Sequence, residues 1–267
     1  MDFSQINARG LVLVGCGRMG GALLDGWLKA GLLARAVHVI DPKPRPDLSD
    51  LGISVNGDLP ANPAVLVIAV KPQMMADVLP RLSVGAGTLV ISVAAGVTIA
   101  GYEAAFPQAP IVRTMPNTPA AIGQGITAII GNARTSAADL DLAEALMSAV
   151  GRVVRLEAES QMDAVTALSG SGPAYVFHMI EAMAAAGAAE GLSPALSLAL
   201  ARATVAGAGA LAVSADEDPA VLRENVTSPG GTTAAGLREL MDAERGLPPL
   251  MRRTVAAAAE RGRELGK

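Results

Sequence analysis

The sequence predicts an α/β fold, in which an N-terminal doubly wound sheet is followed by an all-helical C-terminal half. Three observations predict it: a glycine-rich turn directly after the first apolar run, alternating strand and helix patterns up to Leu156, and only helical patterns beyond that residue. We therefore predict a Rossmann-type domain over residues 1–158 and a helical domain over residues 159–267.

The glycine-rich turn has the spacing G-x-G-x-x-G and stands between an apolar run at 11–14 and helical spacing at 18–30. In this context the first glycine permits a tight turn, the second leaves room for a pyrophosphate, and the third lets helix and strand pack closely. The N-terminal amides of the helix then face the phosphate charge. The residues predicted to bind a dinucleotide here are Gly15, Gly17, Arg18, Met19 and Gly20.

Apolar runs and helical patterns alternate along the rest of the first half. This alternation predicts a largely parallel sheet, in which ligands bind at the carboxyl ends of the strands. The predicted strands are 37–40, 65–70, 88–93, 111–114, 126–130 and 152–156, and the predicted helices are 73–82, 99–106 and 137–150.

Helical patterns continue to the end of the chain. The helical half is predicted to begin at a capping box over residues 160–163, and Pro173, Pro194 and Pro219 are positioned to start later helices. Small residues are frequent in this half, which suits close helix packing, and its few polar faces favour burial of part of its surface against a second subunit.

Asp41 ends the second predicted strand. An acidic residue at this position hydrogen-bonds the ribose hydroxyls of NAD and repels the additional phosphate of NADP, so Asp41 favours NADH. Lys43 and Arg45 follow immediately and could neutralise a 2′-phosphate. The choice between NADH and NADPH therefore stays open at this point.

Three further strand ends provide candidate cofactor residues. Ala69, Val70 and Lys71 close one strand, and Lys71 could meet hydroxyls or phosphate of the cofactor. Ala95 lies in a small-residue segment that leaves space for a nicotinamide ring, and Asn117 lies in a proline-fixed loop where its amide could bond both backbone and ligand.

Two loops of the helical half combine hydroxyl groups with bare backbone amides at helix starts. They span residues 168–175, with Ser171, and residues 225–233. Such loops are candidate binding sites for a carboxylate, although serine caps and glycine turns are also common at helix junctions. Together they favour a substrate site in this half.

Charge and cysteine content exclude several classes of protein. The net charge is −4 and the basic residues are scattered, so we expect no nucleic-acid partner. Cys16 is the single cysteine, which rules out an intramolecular disulfide, and neither His38 nor His178 has a neighbour in sequence that indicates a metal site or a catalytic triad. We expect no bound metal.

A cytoplasmic location is expected from the N-terminal sequence, which shows no basic and apolar leader pattern. The stretch 195–213 is apolar, but it contains Arg202 and follows the helix-start pair Ser193-Pro194. We therefore expect a packed helix there and no association with a membrane.

The glycine turn and the segments 69–72, 115–119, 168–175 and 228–233 together resemble the pyrroline-5-carboxylate reductase family over nearly the whole chain. The resemblance implies hydride transfer from NADPH or NADH to the cyclic imine of 1-pyrroline-5-carboxylate, which gives L-proline in the last step of proline biosynthesis. It also implies a helical domain that intertwines with that of a second subunit, hence at least a homodimer, and rings of dimers occur in the family.

Residue roles follow from the same resemblance. Thr233 is implied as the catalytic residue, close to the ring nitrogen of the substrate, and Asn56 and Lys71 as cofactor contacts. The residues implied to bind the substrate are Asn225, Ser228, Gly231, Thr232 and Thr233, together with Ser171 from the earlier loop.

Two alternatives remain from the residues alone. The chain could be a related two-domain dehydrogenase for a hydroxyacid or for ketopantoate, but such an enzyme needs a catalytic lysine and no lysine occurs between Gly151 and Leu265. It could also be a non-catalytic dimer that senses NAD(P)H.

Overall fold

A computed structural model describes residues 2–266, so the first and last residues of the two predicted domains lie outside the described residues. The chain forms two compact units, one made of residues 2–171 and 258–266 and the other of Gly172–Ala257. The domain limits at residues 158 and 159 come from the sequence pattern and stay a prediction.

Strands and helices of the first unit alternate along the chain. The strands of the described residues are β1 (Leu11–Val14), β2 (Val37–Ile40), β3 (Ser54–Val55), β4 (Val65–Ile68), β5 (Leu89–Ser92), β6 (Ile111–Met115), β7 (Gly125–Gly131) and β8 (Gly151–Arg155). The helices that begin in this unit are α1 (Ser4–Arg9), α2 (Arg18–Lys29), α3 (Met75–Val78), α4 (Ile99–Ala105), α5 (Ala137–Ser148) and α6 (Met162–Val165).

Within the described residues the eight strands form one sheet in the order β3-β2-β1-β4-β5-β6-β7-β8. All neighbouring strands are parallel except β6 and β7, which are antiparallel. The predicted fold class, a largely parallel sheet of the Rossmann type, is confirmed. The strand order reverses beside β1, and ligands of such sheets bind at the carboxyl ends of the strands next to this reversal.

The core of this unit lies on both faces of the sheet. All four residues of β1 and of β4 are buried, because helices cover both faces of a parallel sheet and leave no polar side. Helix α2 buries Leu23, Leu24 and Trp27 against one face. The indole Nε1 of Trp27 donates a hydrogen bond to the carbonyl of Leu146 in α5 at 2.9 Å, which ties the two helices together.

The predicted helix over 73–82 is largely wrong. Only Met75–Val78 is α-helical, between 3₁₀ turns at Pro72–Met74 and Leu79–Arg81. Pro80 has no N–H to donate to the preceding turn, so the α-helical hydrogen bonds cannot continue through it.

Helix α1 and the two-residue edge strand β3 lay outside the predicted elements, because neither is long enough to show a clear repeat of apolar residues.

The predicted capping box at 160–163 is also wrong. Helix α6 begins at Met162, and a 3₁₀ turn, Glu159–Gln161, precedes it. Gln161 occupies the N-cap position and its side-chain oxygen instead accepts hydrogen bonds from the amides of Glu157 at 3.0 Å and Ala158 at 3.2 Å. The side-chain amide of Gln161, and not a capping box at residues 160–163, therefore stabilises this turn.

The second unit is helical. Its helices are α7 (Gly172–Ala189), α8 (Pro194–Ser214), α9 (Pro219–Asn225), α10 (Thr232–Leu240) and the first part of α11 (Leu247–Leu265). Ser193 caps α8 and Asp218 caps α9 through side-chain oxygens, as expected for residues that precede a first-turn proline.

Helix α8 is apolar over most of its length. It is the one helix of the described residues that is long and apolar enough to cross a membrane, and 11% of its apolar 18-residue stretch is buried. Leu196, Leu200, Leu211 and Val213 all expose about half or more of their surface. A single copy of this unit therefore presents a large apolar surface, which is typical of an interaction face.

A buried polar cluster lies at the end of β5. The hydroxyl groups of Ser92 and Tyr102 are hydrogen-bonded to each other, and the Thr114 hydroxyl donates to the Ser92 carbonyl at 2.9 Å. Ser92 and Tyr102 are fully buried. Burial raises the pKa of the Tyr102 phenol to about 12.

This shifted pKa predicts an alkaline loss of stability. Above pH ~10 the unfolded chain loses the phenol proton while the folded chain keeps it, so the free energy of unfolding falls by about 1.4 kcal/mol per pH unit up to pH ~12. Urea titrations between pH 9 and 11.5 measure the fall. We expect the Tyr102→Phe variant to show a smaller fall than the wild type.

Tyr175→Phe is the matched control, since it removes the other tyrosine of the chain and retains Tyr102. This variant should keep the wild-type slope. Equal slopes in both variants would contradict the assignment to Tyr102.

Candidate functional site

Three strands of the sheet end level with one another. The last residue of β1 is the register partner of the last residues of both β2 and β4. The residues that follow these strands are Gly15, Asp41 and Ala69, so the sheet brings these three sequence-predicted positions to one edge. This edge lies beside the reversal of strand order, where ligands bind in such folds.

Only glycine fits at two positions of the turn. Gly15 has a φ of +90°, and a Cβ on it would stand 2.8 Å from the carbonyl oxygen of Ala69. A Cβ on Gly20 would stand 2.1 Å from the carbonyl oxygen of Gly15. These contacts give the tight turn and the close packing of α2 on the strands that the motif predicts.

Gly17 differs from the other two glycines. It is exposed, and no heavy atom of the described residues lies within 4 Å of the place its Cβ would occupy. It is also the N-cap of α2, and none of the side chains described hydrogen-bonds to this helix start, where Arg18 and Met19 form the first turn. The open space and the uncapped amides fit a phosphate group of a dinucleotide.

A cleft of about 430 Å³ lies at this turn. Its walls include Gly17, Arg18, Asp25, Arg45 and Ala121. The residues present therefore provide a cradle of the kind that a dinucleotide pyrophosphate requires.

The carboxylate of Asp41 is fixed against the turn. One oxygen accepts a hydrogen bond from the Cys16 amide at 2.7 Å, and the other accepts one from the Lys43 amide at 2.7 Å. The Cys16 amide therefore already has a hydrogen-bond acceptor within the protein. Asp41 thus links the end of β2 to the turn that follows β1.

Asn56 supports Asp41 from the opposite side. Its side-chain oxygen accepts from the Asp41 amide at 3.0 Å, and its side-chain nitrogen donates to the Asp41 carbonyl at 2.8 Å. Asn56 is the one non-glycine residue with a positive φ among residues 2–266, at 50°, a conformation that asparagine tolerates. Both ends of its amide hold the Asp41 backbone, so Asn56 acts on this site through Asp41.

Arg45 is occupied by two carboxylates. Its guanidinium group bonds Asp25 at 2.9 Å and Asp47 at 3.0 Å. Lys43 is exposed beside Asp41, and within the part of the chain that the structure describes its ammonium group has no ion-pair partner. Of the two cations that follow Asp41 in the sequence, Arg45 is therefore engaged in ion pairs and, among residues 2–266, Lys43 is not.

Cys16 is buried within the turn. Burial raises the pKa of its thiol, so the thiol stays protonated at neutral pH. Among residues 2–266 no cluster of three or more metal-ligating side chains is found.

The other predicted strand-end residues lie in the loops that follow β4 and β5. Lys71 is exposed and stands at the N-terminus of the 3₁₀ turn Pro72–Met74, whereas Val70 and Ala95 are half-buried. They share the carboxyl edge of the sheet with Asp41. These positions agree with a ligand that extends along this edge.

Asn117 is nearly buried and bonds to the protein at both ends of its amide. Its oxygen accepts from the Ile126 amide at 3.0 Å, and its nitrogen donates to the Ser169 carbonyl at 3.2 Å. Its observed partners are therefore structural. The buried Arg113 is held in a similar way, by Glu159 at 2.6 Å.

The loop around Ser171 differs from the predicted nest of free amides. Thr166–Gly170 forms a π-helical turn, and the Ser171 amide donates to the Thr166 carbonyl at 2.8 Å. The hydroxyl of Ser169 bonds the Val165 carbonyl at 3.1 Å. The Ser171 amide is thus consumed within the turn and is not open to a carboxylate.

The second predicted loop, residues 225–233, joins α9 to α10 in the other unit. A turn closes from the Gly231 amide to the Ser228 carbonyl at 3.0 Å, with Gly230 at a φ of +71°. Gly231 is the N-cap of α10 and offers no side-chain cap. Exposed hydroxyls of Ser228, Thr232 and Thr233 surround this helix start. The loop has the donors that a carboxylate needs.

Comparison with known proteins decides the family. Residues 159–265 match the family model described as pyrroline-5-carboxylate reductase dimerisation, and residues 10–96 match the one described as NADP oxidoreductase coenzyme F420-dependent. The pyrroline-5-carboxylate reductase of Pseudomonas aeruginosa is 38% identical over 96% of this chain and 97% of its own length. That of Methanosarcina acetivorans is 39% identical over 95% and 97%.

The chain belongs to the pyrroline-5-carboxylate reductase family. Solved structures agree: the reductase of Coxiella burnetii superimposes with a TM-score of 0.85 at 33% identity, covering 97% of this chain and 99% of its own. That of Plasmodium falciparum, solved with NADP bound, gives a TM-score of 0.84 at 28% identity, covering 98% and 99%. The family named from the sequence motifs is confirmed.

For a pyrroline-5-carboxylate reductase the sequence left several site residues unnoticed. Asp25 and Asp47, which neutralise Arg45, and Glu159, which pairs with Arg113, carry no motif. Asp47 stands two residues after Arg45, a spacing that could have indicated the pair. Glu159 lies 46 residues from its partner, and no local signal could have identified it.

The contrast between two glycines of the turn gives a prediction for this reductase fold. Gly17→Ala should leave the melting temperature nearly unchanged, because its Cβ meets no protein atom. It should still weaken NAD(P)H binding, because the methyl group occupies the space left for phosphate. Circular dichroism melts and nicotinamide fluorescence titrations measure the two effects.

Gly20→Ala is the matched comparison. Its Cβ would clash with backbone at 2.1 Å, so it should lower the melting temperature as well as cofactor affinity. If Gly17→Ala binds the cofactor as well as the wild type does, Gly17 does not face the phosphate.

Proposed function

We propose that this chain reduces the carbon–nitrogen double bond of 1-pyrroline-5-carboxylate to give L-proline, with NADH or NADPH as the reductant. The observation that carries the proposal is the Ser228–Thr233 loop, whose exposed hydroxyls and uncapped helix amides suit a small carboxylate. The loop stands within a chain that aligns almost end to end with reductases of this name.

The cofactor contacts proposed in the sheet unit follow from the geometry described above. The uncapped start of α2 at Gly17, Arg18 and Met19 takes the pyrophosphate, and Asp41 takes the adenosine ribose. When bound, the nicotinamide supplies a hydride. The candidates for contacts along the rest of the carboxyl edge are Asn56, Ala69, Val70, Lys71, Ala95 and Asn117, of which Asn56 and Asn117 act through the backbone groups they hold.

The substrate requires little acid–base chemistry from the protein. A cyclic imine protonated on nitrogen is already electrophilic, and hydride addition to its ring carbon yields the amine of proline without a further proton. The task of the protein is then to bind the carboxylate and orient the ring. Hydroxyls and amides are sufficient for this, which accords with the absence of lysine from 151 to 265 in the sequence.

Within the proposed substrate loop, each group has a defined part. Ser228 and Thr232 hold the carboxylate, and Thr233 also lies next to the ring nitrogen. Gly231, whose own amide closes the turn onto the Ser228 carbonyl, contributes by leaving the first amides of α10 uncapped for the carboxylate. Asn225 ends α9 directly before the loop and contributes from there. Ser171 is proposed to contribute its hydroxyl group alone, because its amide is used in the π turn.

We further propose that a second copy of the chain covers the apolar face of α8. The matched family region carries dimerisation in its description, and Leu196, Leu200 and Leu211 are exposed in the single chain. Burial of such side chains between subunits stabilises a dimer by roughly 25 cal/mol per Å² of apolar surface. A homodimer is the smallest proposed assembly, a ring of dimers is a larger one, and the proposed location is the cytoplasm.

A substrate comparison tests the proposed reaction. Loss of NADH and NADPH absorbance is followed with 1-pyrroline-5-carboxylate, with ketopantoate and with a short 3-oxo acid. We expect turnover with the first compound alone, because the helical half lacks the lysine that the other reactions need. Turnover with none would contradict a reductase function and favour a cofactor-sensing dimer.

Thr233→Ala tests the substrate loop. Removal of a hydrogen bond to a charged group costs about 1.5–3 kcal/mol, so kcat/KM for the imine should fall roughly 10- to 100-fold. The dissociation constant of NADH, measured by fluorescence without substrate, should not change. Thr254→Ala, the same substitution on α11, is the control and should keep the wild-type kcat/KM. An equal loss of cofactor affinity would place Thr233 at the cofactor instead.

A further inference from the structure

We infer that Asp41 makes this chain select NADH over NADPH, by binding the adenosine 2′-hydroxyl and rejecting a 2′-phosphate. The inference rests on the proposed function, because it assigns the coenzyme of that reaction. It goes beyond the relatives, one of which was solved with NADP bound. Three features of the edge of the sheet carry it.

The first feature is that the Asp41 carboxylate cannot turn away. Its two oxygens accept from the amides of Cys16 and Lys43, both at 2.7 Å, and the Asp41 backbone is held at both its amide and its carbonyl by Asn56. A carboxylate on a freely rotating side chain could swing aside for a phosphate. This carboxylate is held by two hydrogen bonds, and two more hold the backbone that carries it.

The second feature is the acceptor capacity that remains. A carboxylate has about four lone-pair positions, and the two amides use two of them. One position on each oxygen stays open, which matches the two hydroxyl donors of an unmodified ribose. A 2′-phosphate has no donor to offer at neutral pH and brings a charge of about −1.5 to −2 towards a fixed negative group.

The third feature is the state of the nearby cations. The guanidinium of Arg45 is bonded to Asp25 at 2.9 Å and to Asp47 at 3.0 Å, so a phosphate would have to displace carboxylates already in place. Lys43 remains as an exposed cation next to Asp41. Arg18 lines the same cleft as Arg45, so three cations face Asp25, Asp41 and Asp47, and the group offers a 2′-phosphate no excess of positive charge.

The test is equilibrium binding without substrate. Fluorescence titration of the full-length protein should give a dissociation constant for NADH at least about tenfold lower than for NADPH, a difference of about 1.4 kcal/mol. Thermal melts should show a larger stabilisation by AMP than by adenosine 2′,5′-bisphosphate at equal concentration. These two nucleotides differ only in the 2′-phosphate.

Variants assign the effect to Asp41. Asp41→Ser removes the charge and should shift the NADH/NADPH affinity ratio towards NADPH by about tenfold or more. Asp50→Ser is the matched control, because it makes the same change on an exposed carboxylate further along the loop that follows β2 and should leave the ratio unchanged.

The outcomes separate the inference from the proposed function. Equal affinities, or tighter binding of NADPH by the wild type, would overturn the role of Asp41 and leave the reductase proposal in place. Failure to bind either coenzyme would overturn the cofactor site and, with it, the proposed function.

Discussion

The contact between Gly15 and Gly20 is the constraint on which the rest of the sheet unit depends. A Cβ on Gly20 would stand 2.1 Å from the Gly15 carbonyl oxygen, so helix α2 can approach the end of β1 only because Gly20 lacks a side chain. This approach points the uncapped start of α2 at the carboxyl edge of the sheet. The proposed phosphate site, and the position of Asp41 beside it, follow from that packing.

The polar side chains at this edge act mainly on one another. Asn56 holds the backbone of Asp41, Asp41 accepts a hydrogen bond from the Cys16 amide of the turn, and Asp25 and Asp47 hold Arg45. The links to Asn56, to Cys16 and to Asp25 each join a residue after one strand to a residue after a neighbouring strand or on α2, whereas the link between Arg45 and Asp47 lies within the loop after β2. Preorganised groups of this kind need little rearrangement when a ligand binds, which favours affinity and selectivity.

The helical unit has a different character. Small and aliphatic residues dominate it, and α8 leaves Leu196, Leu200 and Leu211 exposed in a single copy. Contact of that apolar surface with water is unfavourable in an isolated chain, and a second subunit would remove this contact by covering the surface. The proposed substrate loop belongs to this unit, so assembly and substrate binding are expected to depend on the same helices.

The sequence by itself determined the fold class, the glycine turn and the family, because strand and helix periods and glycine spacing are local patterns. It missed the breaks around Pro80 and the use of the Ser171 amide, which depend on hydrogen bonds that periods do not show. Only the tertiary structure decided that Asp41 is fixed and Arg45 is neutralised. Cys16 lies 25 residues from Asp41 and Asp25 lies 20 residues from Arg45. These partners meet because parallel strands end at one edge, a proximity that no local pattern encodes. Lys43 and Asp47 lie two residues from their partners, within reach of a local pattern.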